Sequence, residues 1–487
     1  MPDQLLTSQQ KSRALALLAL AQFMVVIDAS ITNVALPSIG HALDFSQENL
    51  SWVVNAYTLA FGGFLLLGGR LADYLGRRRM FIVGLVLFSL ASLAGGFAES
   101  EATLIVARAI QGLGAAIASP AALSIVTTTF AEGAERNKAL GIWGAVAGAG
   151  GAAGVLLGGV LTEWAGWEWV LWVNVPIGLG AAFMAPRILV ESKEDEEEGA
   201  FDLPGAITVT AGLGLLVYAI VDAASAGWLS TETLVRAGIA AVFLIAFVAI
   251  ESRSKSPLVP FSIFRLRTLR GSNVVGLFIG MSLFSMFFFI TLYEQQVLGY
   301  SALEAGLSYL PLALAIIFSA GGASALVTRF GFKPILAAGM GLITVALLWF
   351  SQADVGGSYV ADILFPSIMA GVGLGFAFVP VTIAAVTGIE PHEAGLASGL
   401  INTNQQIGGA LGLAILASIA NSRTLDLAGA GKPTVSHLVE GFQLAFMVGA
   451  AFAFVGLIAT LVIISSEDSR EHAEAAQRGD APAVAVG

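Results

Sequence analysis

The chain has 487 residues, of which 56% are hydrophobic and 12% charged, and its mean hydropathy is +0.83. A soluble domain cannot bury such a share of apolar side chains, so the composition indicates a protein that crosses a membrane many times. The absence of cysteine excludes disulfides and cysteine-ligated metals, and the four histidines lack metal-pair spacing, so we expect no cofactor. The net charge of −11 comes largely from an acidic linker and the tail, and does not indicate nucleic-acid binding.

The apolar runs along the chain predict fourteen transmembrane helices, numbered here 1 to 14. Their even number places both chain termini on one side of the membrane. Of the 23 Lys and Arg residues, 19 fall on the side of the termini and three on the other side, which predicts that both termini are cytoplasmic. The predicted helices cover residues 14–36, 50–70, 79–98, 103–127, 139–163, 169–189, 203–222, 234–250, 272–293, 303–327, 335–352, 361–386, 396–420 and 440–464.

Two long polar segments divide these helices into groups of six, two and six. An acidic run at 191–198 follows helix 6, and a basic loop at 251–270 follows helix 8. The loop after helix 10 (residues 328–333) resembles an eroded copy of the loop after helix 2, which predicts two six-helix pseudo-repeats with an inserted helix pair. The predicted units are an N-terminal half (1–190), a linker with helices 7 and 8 (191–270), a C-terminal half (271–466) and a disordered cytoplasmic tail (467–487).

Asp28 lies about midway along helix 1, among apolar neighbours. A carboxylate at the centre of a membrane helix costs about 2.5–3.5 kcal/mol, so it finds a partner, faces a wet cavity or becomes neutral. A carboxyl that changes its protonation state with its surroundings is what a proton-coupled carrier needs. The alternative is a structural acid held by a permanent hydrogen bond.

Arg108 is the only basic residue well inside a predicted span, in helix 4, since the other basic residues within the predicted ranges lie at their ends, and it is equally costly there. Gln111 lies one turn later on the same helix face, followed by Gly112 and other small residues that allow close helix packing. We interpret Arg108 as a fixed positive charge that acts on a nearby acid, with Asp28 as the candidate. A purely structural arginine is the alternative.

Helix 5 is rich in glycine. Gly150, Gly154 and Gly158 recur at four-residue spacing, with Gly159 beside the last of them, so they form a flat stripe against which another helix can slide or lock. A bending or rocking role and plain packing both fit this pattern.

Several other polar residues interrupt the apolar spans. The amides of helix 13 are dense enough to line a cavity, although hydrogen bonding between helices is the alternative reading. Glu294, beside two glutamines near the outer end of helix 9, is a candidate substrate contact. The candidate cavity or substrate residues are Asn33, Asn55, Glu294, Asn402, Gln405 and Gln406.

Four stretches together resemble the major facilitator superfamily, and within it the fourteen-helix drug:proton antiporters. Residues 69–79, which hold four arginines and one acid, are similar to the signature between helices 2 and 3. Residues 104–116, with Arg108, resemble the helix 4 signature implicated in proton handling. Residues 28–37 and 167–178 resemble the helix 1 signature and the helix 6 entrance. The match covers the chain except the tail after about 467.

The resemblance implies proton-driven export of amphipathic drugs, antibiotics or secondary metabolites across the cell membrane by alternating access, rather than an enzymatic activity. The implied partners are a small-molecule substrate, protons and the lipid bilayer, and a single chain can form the whole pathway as a monomer. An importer on the same fold and a non-transporting sensor or scaffold are the alternatives. In the family, the loop after helix 2 forms a cytoplasmic latch, here carried by Gly69, Arg70, Asp73, Gly76, Arg77 and Arg78.

The sequence departs from the family pattern in three places. Helix 5 has Val155 after Gly154, where the family has a proline, so any bend there must come from the glycines. Glu168 stands where arginine is usual. Glu294 stands where leucine is usual, which points to an individual substrate preference.

Overall fold

The computed structural model describes residues 7–46, 49–130, 134–192, 202–254, 257–389, 394–429 and 431–478. All regular secondary structure in these residues is helical. The main helices are α1 (Ser8–Ala42), α2 (Trp52–Leu75), α3 (Arg77–Gly96), α4 (Glu101–Thr129), α5 (Ala134–Trp164), α6 (Asn174–Ile188), α7 (Leu203–Ala226), α8 (Thr231–Glu251), α9 (Arg267–Leu292), α10 (Leu310–Phe330), α11 (Phe332–Phe350), α12 (Phe365–Val386), α13 (Ala394–Ala428), α14 (Val435–Val462) and α15 (Ser466–Arg478).

Short helical pieces extend several of these helices. They are the 3₁₀ turns Asn49–Ser51 and Phe261–Arg265, the α-helical pieces Trp169–Trp172 and Ala302–Ser308, and the π-turns Tyr293–Val297 and Tyr359–Leu364. The π-turn Tyr293–Val297 continues α9, and Ala302–Ser308 precedes α10.

Twelve helices of the described chain are long and apolar enough to cross a membrane. They are α1 to α4, α6 to α12 and α14, each taken with its short extension. A helix also stands at the two other predicted places, α5 and α13. In α5, the apolar run within the described residues covers Ala153–Trp164. In α13, the amide side chains within residues 402–406 interrupt the apolar sequence. The count of fourteen membrane spans stays a prediction.

Capping and glycine geometry set the helix ends. Thr7 and Gln10 form a reciprocal capping box at the start of α1, with Thr7 N donating to Gln10 Oε1 at 2.8 Å. Gly76 (φ +110°) ends α2, and Gly331 (φ +84°) ends α10, so α3 and α11 each follow after a single residue. Each left-handed glycine therefore makes a sharp reversal at one end of the bundle.

The two ends of the helix bundle can be told apart by which helices begin and end there. Lys11 at the start of α1 lies over the ring of Phe130 just after α4, and Arg267 at the start of α9 donates to Val462 O at the end of α14. We call this the terminal end, because α1 begins there, and the other the distal end. The positive-inside pattern predicts that the terminal end is cytoplasmic.

Two large clusters of buried apolar side chains lie in the two halves. One joins α1, α3, α4 and α6 through residues such as Leu18, Met24 and Phe88. The other fills the space among α9 to α14 and extends onto α1 through Ile31. The halves are therefore packed against each other along α1.

The inserted pair α7 and α8 lies beside the joint between the halves. A small cluster brings Leu59 of α2, Val217 of α7 and Ala414 of α13 together, so α7 covers the line where α2 meets α13. Little of α8 is buried, and side chains such as Val242 and Ile245 are exposed, as expected of a helix that faces lipid.

The loop between α2 and α3 is docked on the chain that follows α6. Arg77 N donates to Ser192 O at 3.0 Å, and Arg78 N donates to Glu191 Oε1 at 3.0 Å. The same carboxylate forms an ion pair with the Arg78 guanidinium at 3.5 Å. Gly76 has φ +110°, a conformation that residues with a side chain rarely adopt, and an added Cβ would lie 2.8 Å from Glu191 Oε1, so this turn favours glycine.

The loop between α10 and α11 makes the corresponding contact with the chain after α14. Lys333 N donates to Ser469 Oγ at 3.0 Å, and the Lys333 ammonium donates to Ile464 O at 2.8 Å. Gly331 packs on Ser469 as Gly76 packs on Glu191. The parallel agrees with the expected relation between the halves, and the pseudo-repeat itself stays a prediction.

The expectation of a disordered tail from 467 onward is wrong for its first part, which forms α15. Ser465 Oγ accepts from Asp468 N at 3.1 Å and caps the helix. Ser469 and Ala473 are buried, Ser469 Oγ accepts from Lys333 N at the start of α11, and Gln477 Nε2 donates to Thr328 O at the end of α10. Tertiary docking therefore stabilises a polar helix too short to persist alone. Residues 479–487 lie outside the described chain.

Candidate functional site

Asp28 of α1 is fully buried and makes hydrogen bonds to three side chains from two other helices. Its Oδ2 accepts from Arg108 Nη1 at 2.7 Å, and its Oδ1 accepts from Gln111 Nε2 at 2.7 Å and from Asn174 Nδ2 at 2.8 Å. Charge-assisted hydrogen bonds of this kind are the strong ones, and both carboxylate oxygens are satisfied. These bonds place the carboxyl group in the interior of the N-terminal half.

Arg108 of α4 is 1% exposed and is matched by acceptors on several sides. Besides Asp28, its Nη1 donates to Gln111 Oε1 at 2.7 Å, and its Nε donates to Val53 O of α2 at 3.0 Å. The guanidinium carbon lies 4.5 Å from the centre of the Tyr57 ring, a cation–π arrangement. The charge is therefore fixed in one position by α1, α2 and α4 together.

Two amides and a hydroxyl complete the network. Gln111 Nε2 and Asn174 Nδ2 each lie 3.2 Å from Ser92 Oγ of α3 and donate to it. Ser92 in turn donates to Leu171 O at 2.7 Å. We call Asp28, Ser92, Arg108, Gln111 and Asn174 the buried network. It joins α1, α3, α4 and α6.

The chemistry of the buried network follows from its charge balance. Protonation of Asp28 removes the counter-charge of Arg108 and leaves a guanidinium buried without an anion. Removing one partner of a buried pair costs about 3–5 kcal/mol. A proton can therefore bind Asp28 only if the surroundings change, either through access of water or through rearrangement of the helices.

A small apolar cavity lies where the two halves meet, between α1, α5, α9 and α10. Its volume is about 80 Å³, and its polar lining comes from Ser30 and Tyr309. Drug-sized ligands occupy pockets of about 300–1,000 Å³. A substrate of that size requires the halves to move apart. The remaining lining residues are Gly151, Val155, Phe287, Leu312, Ala313 and Ile316.

The comparison with known families decides what kind of protein carries this arrangement. A family model of the Major Facilitator Superfamily matches residues 18–413. The chain belongs to the major facilitator superfamily. It is therefore a multi-pass transporter of the cytoplasmic membrane.

Individual members of the superfamily resemble the chain over most of its length. The cephamycin export protein CmcT of Amycolatopsis lactamdurans is 43% identical over 432 residues, 88% of each chain. The puromycin resistance protein pur8 of Streptomyces alboniger is 39% identical over 458 residues, 92% of this chain and 90% of that one. The solved structure of a bacterial homolog of the human lysosomal transporter Spinster, inward-facing and unoccupied, superposes with a TM-score of 0.67 at 16% identity, covering 95% and 99% of the chains.

Two residues of the superfamily signature on α4 have different roles. Gln111 belongs to the buried network. Gly112 lies at the crossing of α4 and α2, where an added Cβ would meet the carbonyl oxygen of Tyr57. Its lack of a side chain lets α2 approach closely enough for Val53 O to reach Arg108.

The glycine stripe of α5 packs on α1. Added Cβ atoms on Gly154 and Gly158 would lie 2.9 Å from Ile27 O and 2.8 Å from Ile31 O, and Gly150 packs on Val26 of the same helix. Gly159 points elsewhere. Its Cβ position is 2.8 Å from Ala302 O, in the piece Ala302–Ser308 of the other half. Backbone therefore meets backbone both within the N-terminal half and across the joint.

The remaining residues of the α2–α3 signature lie at the terminal end. Gly69 packs against Pro120 of α4, and Arg70 Nη2 donates to Pro257 O at 3.0 Å. Arg70 thus ties α2 to the loop that follows the inserted pair. Asp73 belongs to α2, and its side chain lies outside the described part of the chain. The latch role stays a prediction.

The polar residues expected to line a cavity are not gathered in one place. Asn33 is half-buried and donates to Ala29 O of its own helix at 3.0 Å. Asn55 is fully buried on α2, and neither atom of its amide has a hydrogen-bond partner. Glu294 is fully buried on the π-turn after α9.

The amides of α13 face several directions. Asn402 is exposed, Gln405 lies toward α9, and Gln406 lies toward α2. Asn404 Nδ2 donates to Asn273 Oδ1 of α9 at 2.6 Å. This is a hydrogen bond between helices, the alternative interpretation that the sequence allowed for these amides.

Sequence reasoning did not assign a role to three residues of the site. Asn174 lies inside the stretch 167–178 that carries the family resemblance, so the sequence could have marked it as a candidate site residue. Ser92 and Tyr57 have no distinguishing pattern, because serine and tyrosine are ordinary in apolar helices. Their contribution depends on how α2 and α3 pack against α4.

Proposed function

We propose that the chain is a proton-coupled secondary active exporter of amphipathic small molecules, working as a monomer by alternating access. The observation that carries this proposal is the buried ion pair of Asp28 and Arg108, completed by Gln111 and Asn174. A carboxylate that cannot take a proton without disturbing its surroundings couples proton binding to a change in helix packing.

The substrate class is supported by the relatives. One is named a cephamycin export protein and another a puromycin resistance protein, and both resemble this chain over its membrane-spanning part. The substrate would therefore be an antibiotic or another secondary metabolite leaving the cell. An apolar interface between the halves, as at the small cavity, suits molecules with a substantial apolar surface.

The contacts between the halves support the alternating-access part of the proposal. At the distal end, Gln295 Nε2 donates to Val34 O of α1 at 2.8 Å, and a Cβ on Gly306 would lie 2.8 Å from Val155 O of α5. These contacts hold the distal end closed. Opening it requires α1 and α5 to separate from α9 and α10, and α1 also carries Asp28.

The direction of transport is tested by flux in proteoliposomes. Purified protein is reconstituted into vesicles whose lumen is acidic, neutral or alkaline, and uptake of the fluorescent cation ethidium is followed in each. Proton antiport predicts accumulation only when the lumen is acidic, and its loss when an ionophore dissipates the gradient. Accumulation with an alkaline lumen would contradict the proposal and indicate proton symport.

The contribution of Asn174 is tested by Asn174→Ala. This change removes one of the three donors to the Asp28 carboxylate, and a hydrogen bond to a charged group is worth about 1.5–3 kcal/mol. We expect gradient-driven ethidium flux to fall roughly tenfold or more, since 1.4 kcal/mol corresponds to a factor of about ten and the anion is less stabilised. Thr344→Ala is the control, because Thr344 Oγ1 donates to Met340 O within its own helix, α11, in the other half. Equal flux in the two variants would contradict the role of Asn174.

A further inference from the structure

Glu294 is a second buried carboxyl, and it differs from Asp28 in having no counter-charge. Its side chain is fully buried, and its Oε2 has no hydrogen-bond partner. Its Oε1 meets a single group, the hydroxyl of Ser308. Among the described residues, no arginine, lysine or histidine bonds to it. A buried carboxylate left in this state would be costly.

The hydrogen bonds of Ser308 point to a proton on Glu294. The Ser308 hydroxyl has one hydrogen and lies within bonding distance of two acceptors, Glu294 Oε1 and Ala305 O, the latter at 2.7 Å. If Glu294 is protonated, its acid group donates to Ser308 Oγ and the hydroxyl hydrogen goes to Ala305 O. Both bonds are then satisfied. An ionised Glu294 would compete with Ala305 for the one hydrogen.

The titratable groups around Glu294 do not supply a positive charge. Among the residues that the structure describes, Tyr300, Tyr309 and Tyr359 are the ionisable side chains close enough to interact with a charge on Glu294. Other ionisable groups on the elements packed against this π-turn are engaged elsewhere. Glu304 accepts from Ser301 N, Glu440 pairs with Arg423, and His437 accepts from Thr434 N.

Both segments that hold the Glu294–Ser308 bond also touch the other half of the protein. The π-turn carries Gln295, which donates to Val34 O of α1 at 2.8 Å. The piece Ala302–Ser308 packs on Gly159 of α5. When the distal end opens, these segments leave α1 and α5, so Glu294 becomes accessible to water. Local π-turns are frequent at functional sites.

We propose that Glu294 is a proton-binding site of the distal gate. Its protonation from the distal side stabilises the closed distal end, and its ionisation accompanies opening. This inference rests on the proposed alternating-access function and adds a second carboxyl, in the C-terminal half, to the one at Asp28. Buried between α9 and the start of α10, Glu294 responds to the pH of the distal compartment.

The test measures the distance across the distal end as a function of pH. The chain has no cysteine, so the two introduced cysteines Glu163→Cys and Val355→Cys carry the only spin labels. Both positions are exposed at the distal end, one in each half. Double electron–electron resonance on purified protein then gives the ratio of open to closed populations, with neither substrate nor proton gradient present.

We expect the open-to-closed ratio to rise with pH by up to about tenfold per pH unit, the limit for one coupled proton. Glu294→Gln places an amide where the protonated acid stood, and its NH₂ group donates to Ser308 Oγ. This variant should remain closed at every pH. Glu440→Gln is the matched control, a paired and half-exposed glutamate at the same end of the same half, and it should titrate as the unmodified chain does.

Two further variants in the same experiment distinguish a pH dependence caused by Glu294 from one caused by other groups. In an Asp28→Asn background the titration should persist, because that variant leaves Glu294 intact. Ser308→Ala removes the acceptor of the acid proton and should move the midpoint to lower pH. An unchanged titration in Glu294→Gln, or a titration lost only in Asp28→Asn, would overturn the inference. Since no flux is measured, failure of the export proposal would show separately in the proteoliposomes.

Discussion

Replacing Asp28 with asparagine is expected to abolish gradient-driven transport. Asparagine has nearly the same shape and still accepts from Gln111, but it cannot bind and release a proton at the pH of the cell. Ethidium accumulation in vesicles with an acidic lumen should fall to the level of protein-free liposomes. Exchange of ethidium at equal pH on both sides should remain measurable, because the pathway between the halves is intact.

The control for this variant is Asp222→Asn. Asp222 also pairs with an arginine, Arg236, but at the distal ends of the inserted helices α7 and α8, away from the buried network. It should leave accumulation unchanged. Full accumulation in Asp28→Asn would remove Asp28 from the coupling mechanism.

Because Asp28→Asn leaves Arg108 buried without an anion, instability is a competing cause of lost transport. The double variant Asp28→Asn with Arg108→Gln removes both charges. It should recover thermal stability relative to the single variant, yet still show no gradient-driven flux. Recovery of both stability and coupling in the double variant would show that the charge pair is structural.

Gly154→Val is expected to give the second-largest effect, a loss of transport through packing rather than charge. A Cβ at this position would lie 2.9 Å from Ile27 O and even closer to Ser30 Oγ. The isopropyl group therefore forces α5 away from α1, and overpacking of this kind costs about 1–3 kcal/mol or more. We expect a lower melting temperature and strongly reduced flux.

Gly151→Val on the same helix is the matched control. Its added Cβ would have no atom of another described helix within 4 Å, so the larger side chain can be accommodated. Because Gly151 lines the small cavity, the comparison uses the melting temperature alone, and that of Gly151→Val should stay close to that of the unmodified chain. An equal fall in melting temperature in both variants would mean that α5 needs glycine for flexibility along its length. Close contact with α1 would then not explain the effect of Gly154→Val.

The pairing of Asp28 with Arg108 could be anticipated because each is too costly to stand alone in a membrane helix. Two isolated charges of opposite sign, on helices 1 and 4, leave few other arrangements. The helix positions follow in the same way from apolar runs whose length matches a membrane. The structure places a helix at each of those runs.

Other features depend on packing that no local pattern reveals. Asn174 enters the network because the short turn before α6 directs its amide toward α1. Asn402 and Gln405 differ in exposure although they are three residues apart, because α13 is covered on one face by α9. The tail helix α15 exists through contacts with Gly331 and Lys333, which lie far away in the sequence.

The measurement that tests the central claim most directly is proton release on substrate binding. Ethidium is added to purified protein in weakly buffered detergent solution, and a pH indicator reports the protons released. Substrate binding that draws Asp28 into its ion pair with Arg108 releases the proton bound in the other arrangement. We therefore expect release from the unmodified chain and from Asp222→Asn, and a clearly smaller release from Asp28→Asn, in which Glu294 can still exchange a proton. The same release from Asp28→Asn as from the unmodified chain would contradict the account, because the exchanged proton would then reside elsewhere.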